Sequence, residues 1–319
     1  MMWRRSLLGA GLLPLAAPAI AQGLGSRPIR IVVGAAPGGG NDIFARLYAT
    51  QLSRLLDRSV IVENRAGAGG QIGAEMVAKS PPDGSTMFYA ASSIATNPYL
   101  MPSASFDPQR DLMPVSLVLS QPFLLVGSAT LGANSVAELL ETAKKKPNSM
   151  TYGSGGSGGP TSLIPQMLFR SVAVTAAEIP YRGTGPVAVA VMSGEVDLGC
   201  VVYPVVRSAL NSKSVTAIAV TGTSPMRQLP SVPTLAASGF PRLTADQWHG
   251  MFVPKGTSSA VVEKFSQAIA ETVRLPEISE RFESEGATPV GSTPSEFAAF
   301  FEKELSHWGE MIREAARPG

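Results

Sequence analysis

The chain has 319 residues, with 26 basic and 24 acidic side chains, so its formal net charge is only +2. A chain so close to neutrality argues against nucleic-acid binding and against binding to anionic membrane surfaces. The single cysteine, Cys200, excludes an intramolecular disulfide, and its apolar neighbours predict a buried core thiol. The two histidines, His249 and His307, stand in no metal-binding spacing, so neither a metal nor a cofactor is expected.

The first 21 residues predict an export signal. Arg4 and Arg5 precede an apolar run over residues 7–17, and a small-x-small cleavage motif ends at Ala21. The pair of arginines leaves both Sec and Tat export open. Cleavage near Ala21 removes two basic residues and no acidic one, which leaves a neutral chain. Because no later segment has the long apolar run of a membrane helix, we expect a soluble protein in the periplasm.

Residues 29–46 predict a strand, a glycine loop and a helix. The β-branched run from Ile29 to Val33 favours a buried strand, and Asn41 and Asp42 are good N-cap residues. A helix N-terminus preceded by glycines is suited to holding a small anion, because its N–H groups are unpaired and the backbone can approach closely. The simpler alternative is a tight turn with no ligand.

Apolar runs and amphipathic stretches then alternate along the chain, which predicts an α/β fold. The predicted strands after the first are 60–62, 86–90, 115–126, 150–152, 172–180, 196–202, 215–221 and 248–254. The predicted helices are 42–56, 71–78, 135–146, 161–171, 186–193, 203–210, 259–273, 277–285 and 294–315. The first three strand–helix units imply a parallel sheet, whose ligands sit at the carboxyl ends of the strands. The loop at 37–42 and the segment at 92–97 both lie there.

The glycine loop recurs in the middle of the chain, at residues 153–161, and it matches two enzyme patterns. Ser157 fits the G-x-S-x-G nucleophile motif, and a hydrolase triad would take Asp197 or Asp246 and His249 or His307. We keep an exported serine hydrolase as the alternative from another functional class.

The second pattern in this loop is the dinucleotide motif G-x-G-x-x-G. Gly153, Gly155 and Gly158 fit it, with Glu178 twenty residues further on. In that motif the acidic residue ends the second strand, whereas Glu178 lies inside its predicted strand. The pattern therefore argues weakly for a dinucleotide site.

A two-lobed binding protein uses both glycine loops at once. Each lobe would present a helix N-terminus, and a ligand with an anionic group at each end would bridge the cleft. Few charged side chains stand in the loops, so backbone N–H groups, hydroxyl groups and waters would provide recognition. Such binding favours the closed arrangement of the lobes.

Several runs resemble the Bug-type substrate-binding proteins of tripartite tricarboxylate transporters, and together they cover nearly all of the mature chain. They are RPIRIVV at 27–33, PGGGND at 37–42, VENRAGAGGQIG at 62–73, PDG at 82–84, YGS at 152–154, PYRGT at 180–184, GEVDL at 194–198 and LPSVPT at 229–234. The resemblance implies a type II periplasmic binding fold, with two α/β lobes joined by two crossover strands. It implies lobes of 22–122 plus 249–319 and of 123–248.

The resemblance also implies a function without catalysis. A monomer would capture a small mono- or dicarboxylate in the cleft and deliver it to the permease subunits of a tripartite tricarboxylate transporter. An orphan protein with no permease, or a sensor subunit that presents its ligand to a receptor, stays open.

The ligand residues implied by the resemblance fall into four groups around this cleft. They are Ala36, Pro37, Gly38, Gly39, Gly40, Asn41 and Asp42; Ser92, Ser93, Thr96 and Asn97; Gly153, Ser154, Gly155, Gly156, Ser157, Gly158 and Thr161; and Tyr181, Arg182, Gly183 and Asp197. Arg182 stands where lysine is commoner in the family, and the middle loop is unusually rich in glycine. Both departures leave the identity of the acid open.

Some of these residues also have a purely structural interpretation. Asp42 can simply cap its helix, and Asp197 can hold loop N–H groups. Arg65 and Glu63 are expected to form a structural pair, and Trp248 to pack at the hinge. The C-terminal stripe has the helical spacing of a core face and comprises Phe297, Phe300, Phe301, Leu305 and Trp308.

Overall fold

The computed structural model describes residues 27–38, 40–101, 105–145 and 149–316. The predicted export signal and Gly39 of the first loop lie outside the described residues. The strands are β1 (Ile29–Val33), β2 (Val60–Asn64), β3 (Thr86–Ala91), β4 (Leu112–Ser128), β5 (Thr151–Ser154), β6 (Ala177–Pro180), β7 (Leu198–Val202), β8 (Val215–Val220), β9 (Asp246–Pro254) and β10 (Thr288–Pro289).

The helices follow the strands in the alternation expected of an α/β fold. They are α1 (Gly40–Leu55), α2 (Gln71–Ala78), α3 (Asn97–Leu100), α4 (Pro108–Asp111), α5 (Val136–Lys145), α6 (Pro160–Arg170), α7 (Thr184–Ser193), α8 (Tyr203–Asn211), α9 (Ser259–Arg274), α10 (Pro276–Ser284) and α11 (Pro294–Ala315). Short 3₁₀ turns cover Ala68–Gly70, Ser92–Ala95 and Pro241–Leu243.

Two sheets share one long strand. In the first sheet the order is β2-β1-β3-β9-β4, with β1, β2 and β3 parallel and β9 antiparallel to β3. In the second sheet the order is β6-β5-β7-β4, with β5, β6 and β7 parallel, and β8 also pairs with β4. The predicted parallel sheet of the first three strand–helix units is confirmed.

The crossover between the sheets lies within β4. Residues of β4 up to Pro122 pair with β9, and from Phe123 onward they pair with β7. The chain returns through the loop that follows β8, where the Ala245 N–H donates to the Thr221 carbonyl, and then enters β9. Two α/β halves joined in this way form the type II periplasmic binding fold that the resemblance predicts. The exact lobe boundaries stay a prediction.

Pro122 does not interrupt the crossover strand, which the sequence predicts over residues 115–126. Proline lacks an N–H, and here it stands where the strand changes neighbours. β4 therefore runs unbroken over 17 residues.

The predicted strand at 172–180 is wrong over its first half, because β6 covers only Ala177–Pro180. The Val174 N–H donates to the Phe169 carbonyl, and Ala173 has a φ of 56°. Residues 172–174 therefore form the turn that ends α6. Their apolar side chains satisfy a strand pattern as well as a helix-end pattern.

The C-terminal stripe forms a core face, as predicted, and it packs against the crossover strand β9. Phe297, Phe301, Leu305 and Trp308 are buried, and Phe300 is partly buried. Trp248 of β9 is fully buried among the phenylalanines of α11, with ring centroids 5.5–6.0 Å apart. Cys200 is also buried, and burial raises its pKa well above the usual value, which confirms the core thiol.

Candidate functional site

The carboxyl ends of the parallel strands in both sheets converge on one short stretch of β4. β1 and β3 end beside the start of β9, which is antiparallel to β3. In the second sheet, Val202 at the end of β7 pairs with Phe123. The adjacent residue, Pro122, pairs with Asp246 at the start of β9. The two glycine loops, after β1 and after β5, therefore lie on either side of this crossing point.

The first loop is held by the buried carboxylate of Asp42 in the first turn of α1. Its Oδ2 accepts from the Gly38 N–H and from Arg46 Nε, both at 3.0 Å, and its Oδ1 accepts from Asn64 Nδ2 at 2.9 Å. Burial alone would raise the pKa of Asp42, but these hydrogen bonds outweigh it and hold the pKa below its ordinary value. Asp42 therefore fixes the shape of the loop and does more than cap its helix.

The other described residues of this loop face solvent. Ala36, Pro37, Gly38 and Gly40 are exposed, and Asn41 is half-buried at the amino end of α1. The first-turn N–H groups of a helix have no partner within the helix. The loop therefore offers backbone donors at the carboxyl end of β1.

The segment after β3 is bonded to its protein neighbours. The Ser92 hydroxyl donates to Gln247 Oε1 at 2.9 Å, and the Ser93 hydroxyl donates to the Gly69 carbonyl at 2.8 Å. Asn97 Nδ2 donates to the Gly69 carbonyl at 3.3 Å, and the Thr96 hydroxyl donates to the Ser93 carbonyl at 3.0 Å. Ser93 and Asn97 thus hold the loop before α2, which carries the ENRAGAGG motif, against the carboxyl end of β3, while Ser92 ties this end to β9.

The second loop is organised by hydroxyl groups on its own flanks. Thr161, in the first turn of α6, accepts from the Gly155 N–H at 2.9 Å, and the Ser154 hydroxyl donates to Glu178 Oε1 at 2.6 Å. The Gly183 N–H donates to the Gly155 carbonyl at 3.1 Å. The loops after β5 and β6 therefore form one surface at the strand ends. Glu178 serves this loop from within β6.

The two halves of the molecule touch through Leu100 and Gly158. Leu100 is the last residue of α3 in the first half, and Gly158 lies in the second glycine loop. A Cβ placed on Gly158 would lie 2.7 Å from Leu100 Cδ1, and Gly158 has a φ of 75°, which favours glycine. The absence of a side chain at Gly158 therefore lets the two halves approach each other. Sequence reasoning missed Leu100, which carries no polar signal.

Arg182 supplies a positive charge beside the second loop. The preceding residue, Tyr181, donates its N–H to the Ser154 carbonyl at 2.8 Å, which holds Arg182 next to the loop. The Arg182 side chain is exposed. Within the described part of the chain Arg182 has no ion-pair partner. A carboxylate at this edge of the sheet would therefore meet an unpaired guanidinium group.

Two predicted site residues point away from the strand ends. The Asp197 carboxylate accepts from the N–H and hydroxyl of Thr151, at the amino end of β5, at 2.8 and 3.0 Å. Thr151 stands three residues, or about 10 Å of extended strand, from Ser154 at the loop end. The Tyr181 hydroxyl donates to Glu195, which follows the carboxyl end of α7, at 2.8 Å. Burial raises the pKa of Tyr181 to about 12, and the hydrogen bond to Glu195 is the second cause of the increase.

The structure does not assemble the hydrolase triad. Ser157 is exposed in the second loop, whereas His249 is buried in β9, where Nδ1 lies 2.9 Å from the Tyr89 hydroxyl. Asp246 accepts from Ser120 at 2.6 Å, and His307 stacks edge-on to Trp308 in α11. None of these groups is a hydrogen-bond partner of Ser157 among the described residues.

Arg65 and Glu63 form the structural pair that the sequence predicts. Arg65 Nε donates to Glu63 Oε1 at 2.8 Å, and Arg30 Nη1 lies 3.3 Å from Glu63 Oε2. Neither arginine is therefore left unpaired for a ligand.

Sequence reasoning also missed two glutamines at the crossing point, Gln121 and Gln247, which pair directly across β4 and β9. Gln121 is 4% exposed. A lone amide within the long apolar run of the crossover strand was the available signal.

Within the described ranges, no helix is both long and apolar enough to cross a bilayer. The same ranges contain no group of three or more histidine, cysteine, aspartate or glutamate side chains placed to hold a metal ion.

Known proteins resemble this chain over most of its length. A family model described as "Tripartite tricarboxylate transporter family receptor" matches residues 44–316. Protein BugT of Bordetella pertussis is 33% identical over 302 residues, which cover 94% of this chain and 93% of BugT.

Two solved structures show the same fold with an acid bound. The structure of R. palustris Rpa4515 with adipate has a TM-score of 0.84 at 28% identity and covers 91% of this chain and 97% of that one. The structure of MatC from Rhodopseudomonas palustris with bound malate has a TM-score of 0.79 at 27% identity and covers 90% of this chain and 99% of that one.

Proposed function

The chain belongs to the tripartite tricarboxylate transporter receptor family, whose members are solute-binding proteins, and we propose that it captures a small mono- or dicarboxylate in the cleft between its lobes. The observation that carries this proposal is the pair of glycine loops. Each follows the carboxyl end of a parallel strand and leads into a helix, and both flank the same crossing point. Anions bind well where strand ends and helix N-termini coincide.

The ligand contacts that we propose are mainly backbone donors. Within residues 36–42 and 153–161, the N–H groups that are not already bonded inside the loops provide them, with the side chains of Ser157 and Arg182 at the edge. Asp42, Ser92, Ser93, Thr96, Asn97, Ser154 and Thr161 hold the loops in shape. We leave Asp197 and the hydroxyl of Tyr181 outside the contact set, because their partners lie at the other end of the sheet.

The class of ligand is supported by the relatives with bound acids. Adipate and malate are both small dicarboxylates, and the proteins that hold them share this fold over about nine-tenths of the chain. Two carboxylates at opposite ends of one ligand match two anion-binding loops on opposite sides of a cleft. The contact between Leu100 and Gly158 that the structure already shows would then persist in the closed, ligand-bound arrangement.

A thermal-shift screen against small mono-, di- and tricarboxylates tests the function. A ligand that binds only the folded protein at a hundredfold excess over its Kd adds about 2.7 kcal/mol of stability. We expect a clear rise of Tm with a subset of the acids and none with neutral sugars or amines. The screen is repeated after unfolding and refolding, which removes co-purified ligand. No shift with any acid in refolded protein would contradict the proposal.

Arg182→Gln tests the charge beside the second loop. We expect acid affinity to fall about three- to tenfold, because an exposed charge-assisted contact contributes on the order of 1 kcal/mol. Affinity of the wild type should also decline more steeply with added NaCl than that of the variant, as measured by calorimetric titration.

Two variants control for this substitution. Arg182→Lys keeps the charge and should retain most of the affinity. Arg274→Gln removes an exposed arginine from the end of α9 and should change neither the acid affinity nor its salt dependence. Equal affinities and equal salt dependence in Arg182→Gln and the wild type would show that this guanidinium does not contact the acid.

We further propose that the protein acts in the periplasm and delivers its ligand to the membrane subunits of a tripartite tricarboxylate transporter. Family membership supports the partner, and the predicted signal supports export. An exported protein whose N-terminus, determined by mass spectrometry, begins just after Ala21 would support this location. A full-length chain retained in the cytoplasm would contradict it.

A further inference from the structure

The two halves of the molecule meet at a second place, where α8 of the second half lies beside the end of α10 of the first half. Arg207 Nη1 in α8 lies 3.5 Å from Oε2 of Glu285, which directly follows α10. Arg227, which follows β8, places its Nη1 3.1 Å from Glu283 Oε2, and Gln228 Nε2 donates to the Glu283 carbonyl. We call these five residues the α8–α10 contact.

The backbone of the first half passes close to the second half at this contact. A Cβ placed on Gly286 would lie 2.6 Å from Met226 Cε and 3.3 Å from Tyr203 Cβ. Shortly after Gly286 the chain forms β10, which pairs with Ser120 of β4, two residues before Pro122. The α8–α10 contact is therefore anchored beside the crossing point of the two sheets.

The contact lies at the edge of the sheets where the two glycine loops stand. In the second half, Tyr203 begins α8 directly after the carboxyl end of β7. In the first half, Phe282 near the end of α10 packs against Phe44 of α1, with ring centroids 4.9 Å apart, and α1 begins directly after the first glycine loop. A rotation that opens the cleft would therefore separate α8 from α10, and a rotation that closes it would bring them together.

The carboxylate groups of the contact also have partners within their own half. Glu285 is only 8% exposed, and besides Arg207 it pairs with Arg281 of α10, whose Nη2 lies 3.2 Å from its Oε1. Glu283 Oε1 accepts from the Ser279 hydroxyl at 3.3 Å. A buried carboxylate without a partner is costly, and these partners would remain if the halves separated. The bonds between the halves can thus break and re-form without leaving Glu285 unpaired.

We propose that the α8–α10 contact favours the closed arrangement of the lobes before any ligand binds, and that it thereby raises the acid affinity of the cleft from outside the cleft. When the binding-competent arrangement is only partly populated, the apparent affinity is reduced by that fraction. Arg207 therefore increases the affinity without touching the ligand, because its bond to Glu285 is made only while the halves are together. This inference rests on the proposed binding of acids between the lobes.

Arg207→Gln tests the inference by two measurements on the purified protein. Small-angle X-ray scattering gives the radius of gyration without acid, which should be larger in the variant than in the wild type. With saturating acid the two radii should be equal. Calorimetric titration with malate and with adipate gives the affinity, which should fall about threefold in the variant for whichever acid binds.

Two further variants act as controls, and circular dichroism checks that all three fold. Arg281→Gln removes the other arginine from the same carboxylate but leaves the bond between the halves, so it should neither enlarge the acid-free protein nor lower its affinity. Arg110→Gln breaks an ion pair with Asp111 that lies within the first half, at 2.7 Å, and it should match the wild type in both measurements.

The inference is overturned if Arg207→Gln has the wild-type radius of gyration without acid, if it has the wild-type affinity, or if Arg281→Gln lowers the affinity as much as Arg207→Gln does. In each of these cases carboxylate binding stands. If neither acid binds and none in the screen does, the proposed function fails, and the scattering comparison of the acid-free proteins alone decides whether the contact holds the lobes together.

Discussion

Replacing Gly158 by alanine should weaken acid binding about fivefold, because the new methyl group would displace the Leu100 side chain at the contact between the two lobes. The Cβ would stand 2.7 Å from Leu100 Cδ1, well inside van der Waals contact. The atoms that it meets end a flexible side chain that is 38% exposed and can turn aside, so we expect the cost to lie at the low end of the about 1–3 kcal/mol typical of overpacking. Calorimetric titration with the acid that gives the largest thermal shift measures the loss.

A double-mutant cycle with Leu100→Ala separates this clash from other effects. Shortening Leu100 makes room for the methyl group, so the two substitutions together should bind far better than Gly158→Ala alone. Gly132→Ala is the matched control, since Gly132 has a φ of 70° but no atom within 4 Å of its added Cβ. It carries the same backbone strain and should lower stability without lowering affinity. Purely additive losses in the cycle would contradict closure through this contact.

Acidification should destabilise the protein through His249 before most carboxylates begin to titrate. The ring is fully buried between Tyr89 and Phe44, and burial lowers the pKa of His249 from 6.5 to about 3. Between pH 6.5 and 3, therefore, His249 binds a proton in the unfolded chain but not in the folded protein. The stabilisation is complete above pH 6.5 and is lost as the pH falls from 6.5 toward 3. We expect a loss of about 2 kcal/mol between pH 7 and 5, and about 3 kcal/mol by pH 4.

Urea unfolding at pH 7, 6, 5 and 4 measures this loss against His249→Gln, which keeps an acceptor for the Tyr89 hydroxyl. The variant should have a lower free energy of unfolding at pH 7, but that free energy should fall much less between pH 7 and pH 4 than it does in the wild type. Asp246 and Glu304 act in the opposite sense, because burial raises the pKa of both carboxyl groups. Both proteins contain them, so their contribution cancels in the difference. His307→Gln should keep most of the slope, and parallel pH profiles for wild type and His249→Gln would refute this role of His249.

The sequence predicted the fold closely where local patterns were sufficient. The parallel units after β1, the crossover strand β9 and the core stripe of α11 follow from runs of apolar residues at a strand or helix period. The ENRAGAGG and LPSVPT runs carried the family resemblance, which the comparisons confirm. Prediction was wrong at residues 172–176, where apolar residues at a helix end imitate a strand.

The candidate site was predicted less completely, because loop composition does not say where a side chain points. Asp197 and Tyr181 stand close to the second loop in the sequence motifs, yet their polar atoms bond to Thr151 and Glu195 away from the strand ends. Leu100 and Gln121, in contrast, had no motif to mark them.

By itself, the sequence determined the order of strands and helices, the two glycine loops and the family, since each depends on residues that are near neighbours along the chain. Tertiary structure alone decided which distant residues come into contact. Ser92 donates a hydrogen bond to Gln247, which is 155 residues away in the sequence, and Leu100 of one lobe contacts Gly158 of the other. Such contacts depend on strand register and on how β4 and β9 join the two sheets. A shift of one residue in that register would turn Gln121 and Gln247 to the opposite face, and no local pattern specifies it.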